Sequence, residues 1–165
     1  MRVALVAVIV AVVVIVAVVP FLLMQGGQQA GEQQTAPTQT QKPETGKVEI
    51  VIEGGEISVS KQGFGLKGQQ LQSPGPELRV KVGSLVVVTF INVGQLPHTF
   101  VVTDEKKFDA EPLWGAQIGT PTSPVQPKQQ SSISFTPTRP GEYYYICQVP
   151  GHIELGMWGK FVVEE

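Results

Sequence analysis

The sequence predicts an all-β domain over residues 48–165, a Greek-key β-sandwich or barrel, preceded by one N-terminal transmembrane helix and a flexible linker. Three observations carry this prediction. Short stretches of alternating apolar residues recur through the last two-thirds of the chain, Gly and Pro punctuate nearly every gap between them, and no convincing amphipathic helix interrupts the series.

Residues 1–24 form the first element. After Met1 and Arg2 the chain carries no charge from Val3 to Met24, and Pro20 alone breaks the apolar run. As a helix rising about 1.5 Å per residue, that run would reach about 33 Å, enough to cross a hydrocarbon core of about 30 Å. A cleaved signal peptide has a shorter apolar region, of about 7–15 residues, ending at a small-x-small site. Gln25 to Ala30 offers no such site, so an uncleaved anchor through residues 3–24 is the expectation. Arg2 and the amino terminus are the only positive charges before the span, which leaves the rest of the chain on the extracytoplasmic side. Residues 25–47 are rich in Gln, Gly, Thr and Pro, with too little apolar area to offset the entropy of ordering, and read as a tether.

The strands follow in order. Val48, Ile50 and Ile52 alternate with Glu49, Val51 and Glu53; further candidates lie near Glu56–Ser60, Leu78–Val82, Leu85–Asn92 and Thr99–Thr103. The last three lie near Ser132–Thr136, Glu142–Cys147 and Trp158–Val163. Seven or eight short strands with such punctuation suit a sandwich. Residues 104–130 break the rhythm, with Pro121, Pro124 and Pro127 and a single turn of helix expected near Phe108–Trp114. Phe108, Leu113, Trp114 and Ile118 give this segment apolar anchors, so it is expected to lie against the sandwich as a cover without direct chemistry.

The chemistry is concentrated near the carboxyl end, in Cys147-Gln-Val-Pro-Gly-His152-Ile-Glu-Leu-Gly-Met157. One short loop holds the chain's single cysteine, one of its two histidines and its only methionine beyond the anchor. His98, about fifty residues upstream, is the one histidine left to complete a site. Two imidazoles and a thiolate with a weak axial thioether make the donor set of blue-copper electron-transfer sites. Structural zinc needs a closed set of four Cys or His, and the chain has three. Taken singly, Cys147 reads as a small buried hydrophobe, His98 after Pro97 as a turn residue and Met157 as a core filler. Their conjunction points to copper.

Gly141-Glu-Tyr143-Tyr-Tyr145-Ile-Cys147 with His152 and Met157 following, and Asn92-Val-Gly-Gln-Leu-Pro97-His98-Thr-Phe100 upstream, resembles the cupredoxin family of blue copper proteins. The four-residue gaps from Cys147 to His152 and from His152 to Met157 resemble the rusticyanin and sulfocyanin type. The resemblance covers most of residues 48–165 and implies that His98, Cys147, His152 and Met157 bind one type 1 copper. It also places Thr99 where family members often have Asn or Ser bonding across to the ligand loop. Threonine has a hydroxyl for that bond but is shorter and stiffer than Asn.

The expected function is a membrane-tethered one-electron carrier in an extracytoplasmic respiratory chain, cycling Cu(II) and Cu(I), and not an enzyme, since four protein ligands leave no open position for substrate. Its expected partners are redox proteins, such as membrane cytochrome complexes or a terminal oxidase or reductase, docking on an apolar patch around His152 formed by Pro150, Ile153, Leu155, Leu96 and Pro97. The copper domain is expected to be monomeric. Two alternatives remain at this level: a copper-delivery module without electron transfer, and a bare structural sandwich on a stalk. With 12 Lys and Arg against 14 Asp and Glu and no basic stripe, nucleic-acid binding has no support.

Overall fold

Alternation of apolar and polar side chains with a period of two decides which faces meet in this fold. The computed structural model describes residues 46–165, so the expected anchor and nearly all of the 25–47 linker lie outside the described residues. No helix among the described residues is long and apolar enough to cross a membrane. Nine strands are present among the described residues: β1 (Lys47–Ser58), β2 (Lys61–Leu66), β3 (Leu78–Lys81), β4 (Leu85–Asn92), β5 (Phe100–Thr103), β6 (Gln117–Ile118), β7 (Gln130–Phe135), β8 (Gly141–Ile146) and β9 (Trp158–Glu164). They form two sheets, a four-stranded one ordered β2-β1-β4-β7 and a five-stranded one ordered β3-β9-β8-β5-β6.

Each sheet contributes alternate residues to the shared interior. Ile50 and Ile52 of β1 and Val86, Val88 and Phe90 of β4 face inward from one sheet; Phe100, Tyr145 and Phe161 face them from the other. The aromatic rings interlock, with Phe64 edge-on to Tyr145 at 5.1 Å and Phe100 stacked on Tyr145 at 5.5 Å. Burying each such side chain contributes about 1.5–3 kcal/mol, and the ring pairs add a little more. The Tyr145 hydroxyl donates to the Pro76 carbonyl at 2.5 Å, so the one polar atom this ring carries inward is satisfied.

Three local expectations are corrected. The stretch near Glu56–Ser60 is no separate strand: β1 runs on to Ser58 and pairs with β2, which the sequence pattern did not show. In β2 the residues Gly63 and Gly65 dilute the alternation, yet both belong in a strand because a Cβ there would press on the backbone of Gln72 and Gln70. The helical turn near Phe108–Trp114 is a 3-10 turn at Leu113–Gly115, with Trp114 at φ 53. Trp114 is held in that unusual conformation by packing on Tyr143 and Phe135, and its indole N–H donates to Thr138 Oγ1 at 3.1 Å.

β1 and β4 run parallel, in register from Lys47 opposite Leu85 to Gly54 opposite Asn92. Lys47 therefore lies at one end of the sandwich, and the segments that follow Gly54 and Asn92 lie at the other, about 23 Å along the strand. His98 and Cys147 both lie at that second end.

Candidate metal centre

β8 delivers Cys147. Tyr143, Tyr145 and Cys147 share one side of the strand line, and the thiol, one residue beyond the strand, is fully buried. The chain then turns back on itself. The Cys147 N–H donates to the Met157 carbonyl at 3.1 Å, the Met157 N–H to the His152 carbonyl at 2.9 Å and the His152 N–H to the Val149 carbonyl at 3.1 Å. Gly151 at φ 85 and Gly156 at φ 90 supply the left-handed residues these turns require. The loop sits on β2 and the segment after it, where Gln62 N–H and Ser73 Oγ donate to the Leu155 carbonyl.

His98 arrives from the other sheet and is held by its neighbours. Asn92, the last inward-facing residue of β4, donates from Nδ2 to the carbonyls of Leu96 and Val125 and accepts the Gly94 N–H on Oδ1. The backbone of His98 pairs both ways with Val125, at 3.1 and 2.9 Å. Its side chain is fully buried.

These elements bring three of the four predicted donors together. His98 Nδ1, Cys147 Sγ and His152 Nδ1 lie within 4.8 Å of one another. The separations are 3.1 Å between the two Nδ1 atoms, 3.4 Å from Sγ to His152 Nδ1 and 3.9 Å from Sγ to His98 Nδ1. A metal bound to nitrogen at about 2.0 Å and to sulfur at about 2.3 Å in one plane would hold its donors roughly 3.5–3.7 Å apart, so the set fits a single ion. Met157 is fully buried in the same loop, its backbone paired with those of Cys147 and His152.

The electrostatics suit a metal. Burial pushes the Cys147 thiol up, only partly countered by the N–H groups of Thr99 and Val149 and the Thr99 hydroxyl. Burial and the neighbouring His98 push His152 down to about 4, Glu56 and Glu154 opposing, and burial lowers His98 as well, against Glu56. Both imidazoles thus stay neutral at ordinary pH, with lone pairs free for a cation, and that cation is what the buried sulfur needs to become a thiolate.

Several residues around the site were not legible as functional in the sequence. Glu56 Oε1 lies 3.1 Å from His98 Nε2, and the carboxylate also accepts the N–H groups of Gln95 at 2.7 Å and Leu96 at 3.1 Å. Its parity along β1 is that of Ile50, Ile52 and Gly54, so a charge on the inward register was the available signal. Thr99 does bond across: its N–H donates to Cys147 Sγ at 3.3 Å, and its hydroxyl accepts the Gln148 N–H at 2.7 Å. The 104–130 segment is more than the cover expected of it. Val125 pairs with His98, and the Ala110 carbonyl accepts from Gln148 Nε2 at 2.7 Å, which ties both ligand-bearing segments to it.

Known proteins resemble this chain in sequence and fold. Residues 60–164 match the family described as copper binding proteins, plastocyanin/azurin family. The chain is 40% identical over 96 residues to rusticyanin of Acidithiobacillus ferrooxidans, covering 54% of this chain and 61% of that protein. To auracyanin-A of Chloroflexus aurantiacus it is 30% identical over 117 residues, 61% of this chain and 72% of the relative. The solved structure of rusticyanin from Thiobacillus ferrooxidans superposes with a TM-score of 0.57 at 28% identity, covering 73% of this chain and 78% of the other. The chain thus spans less than two-thirds of the rusticyanin sequence it matches. The cofactor is copper, and His98, Cys147 and His152 form a type 1 site for it like that of rusticyanin. With two sheets, buried imidazoles and a thiol that meet where one ion fits, and a family match over most of the described residues, the chain belongs to the plastocyanin/azurin family of copper-binding proteins as a cupredoxin similar to rusticyanin.

Proposed function

We propose that this protein is a membrane-tethered one-electron carrier of an extracytoplasmic respiratory chain, in which Met157 would join His98, Cys147 and His152 in holding the copper. The observation that carries the reading is the buried, pre-assembled triangle of His98, Cys147 and His152, held from two sheets. Bound copper would supply the Cu(II)/Cu(I) couple. The chain supplies rigidity and a dry surrounding: Cys147 and His152 sit on a loop closed by its own hydrogen bonds and His98 is fixed by Val125 and Glu56, so little has to move when an electron arrives. The Thr99 N–H on Sγ tempers the charge of the thiolate. Once Met157 is counted, no position is left for a substrate, which favours a carrier over an enzyme.

Exchange with partners belongs at the His152 end. His152 keeps 7% exposure while His98 keeps none, and Leu96 and Val93 are exposed beside the His98 segment. Small apolar interfaces suit transient redox partners, such as membrane cytochrome complexes or a terminal oxidase or reductase. Because Lys47 lies at the opposite end of the sandwich from the ligands, a tether joined there would leave the copper end free to meet them. An apolar wall and a weak thioether would also give a fairly high reduction potential.

The deciding experiment is a visible spectrum of the copper-loaded protein beside Cys147→Ala. An intense thiolate-to-copper band that ascorbate bleaches, absent from the variant, is the expected result. A colourless protein, or a band the substitution leaves alone, would remove the carrier reading.

A further inference from the structure

The two copper histidines differ in what stands behind them. Among the described residues, the hydrogen bonds of the His152 ring run through Nδ1 alone, whereas His98 has the Glu56 carboxylate at Nε2, 3.1 Å away. We propose that Glu56 is a positioning residue that sets the Cu(II)/Cu(I) balance of the site through His98. Its carboxylate holds the Nε2 proton, which leaves Nδ1 as the ligand atom, and its negative charge makes that imidazole a better donor to the oxidised ion. The inference rests on the copper reading only in requiring that copper occupy the site.

The surroundings are built for a carboxylate. Gln95 N–H reaches one oxygen of Glu56, and Leu96 N–H shares the other with His98. Three donors converging on two oxygens are what an ionised acid satisfies and an amide, with its own N–H₂ group, does not. Gly94 leaves room for it, since a Cβ there would stand 2.5 Å from Glu56 Oε2. A ligand histidine whose second nitrogen donates to a carboxylate has a fixed tautomer, a fixed ring orientation and raised basicity. Added negative charge stabilises Cu(II) more than Cu(I), so Glu56 works against the apolar wall and holds the potential below what that wall alone would produce.

A simple loop clamp would use the same contacts, so the test must separate the two roles. In the copper-free wild-type protein, the nitrogen chemical shifts of His98 should report the Nε2–H tautomer. An Nδ1–H tautomer would overturn the proposal, and this measurement needs no variant to fold. In Glu56→Gln, Cu(II) affinity should fall about 10–100-fold and Cu(I) affinity by less. The reduction potential should then rise, by about 59 mV for each tenfold change in the ratio of the two affinities. Glu56→Asp, which keeps the charge, should stay nearer the wild-type ratio. Equal loss of both oxidation states, or equal shifts in the two variants, would mean that Glu56 only clamps the loop and would overturn the proposal. Absence of the thiolate band from the wild-type protein would instead be a failure of the copper reading, recognisable before any variant is made.

Discussion

The segment that carries His98 and the loop that carries His152 reach the same metal site by opposite means. From Cys147 to Met157 the loop is closed by its own backbone, with four internal N–H to carbonyl bonds besides the Cys147–Met157 link and two left-handed glycines. The 92–98 segment has the Asn92 side chain at its own start but otherwise leans on residues from elsewhere: Glu56 from β1 and Val125 from the long segment after β5. One ligand is therefore encoded locally, the other by tertiary contact. Damage to the first should be confined to the loop, while damage to the second should spread through both sheets.

That contrast can be tested in descending order of effect. Removing the thiol that both histidines face comes first: Cys147→Ala should abolish the thiolate-to-copper absorption altogether, read in the visible spectrum. Asn92→Ala comes next. It leaves the Gly94 N–H and the Leu96 carbonyl without the partner Asn92 supplies, while the Val125 carbonyl keeps the His98 N–H, and should cost about 2–3 kcal/mol in denaturant unfolding of the copper-free protein. Gly156→Ala should cost about 1–3 kcal/mol by forcing a side chain into φ 90 against Ser73, with NMR shift changes confined to the ligand loop. If Gly156→Ala disturbed the 92–98 segment as strongly as Asn92→Ala does, the division between local and tertiary encoding would be wrong.

A smaller effect follows from pH. In the copper-free protein the folded His152 resists protonation down to about 4, while an unfolded imidazole takes its proton near 6.5. The unfolded chain thus binds more protons between those values. Stability should be full above about pH 6.5 and decline as pH falls towards about 4, with lowered His98 adding in the same direction. Melting temperatures of copper-free and copper-loaded protein across that range should diverge as pH falls, because a bound metal holds the imidazoles neutral. The smallest expected change is kinetic: Ile153→Glu should slow electron exchange with a redox partner several-fold by spoiling an apolar contact, with the copper spectrum intact.

Much of the site was legible in the sequence for the reason that the ligand loop is local. Cys147, His152 and Met157 fall at fixed spacings within eleven residues, and the chain has no other cysteine and one other histidine to pair with them. The strands were legible wherever side chains alternate, as at Ile50, Ile52, Val86, Val88 and Phe90. They were hidden where glycine replaces the side chain for the sake of a close backbone, as in β2, whose Gly63 and Gly65 lie against Gln72 and Gln70. The 104–130 segment carried no periodic signal because its contacts are short and scattered, the two-residue strand β6, a bridge from Val125 and one carbonyl from Ala110, and contacts of that kind leave no pattern.

Residue chemistry and spacing alone were thus enough to name His98, Cys147 and His152 as donors and copper as the metal they suit, because softness and ligand geometry are properties of the side chains themselves. What stands behind each donor was decided only by the fold. Glu56 is forty-two residues from His98 in sequence and 3.1 Å from it in space, and β1 could be recognised as a strand without any hint of which loop its far end would meet. Sequence periodicity shows the face a residue takes on its own strand. The partner across the gap depends on how two sheets stack, and that is settled by the whole core at once.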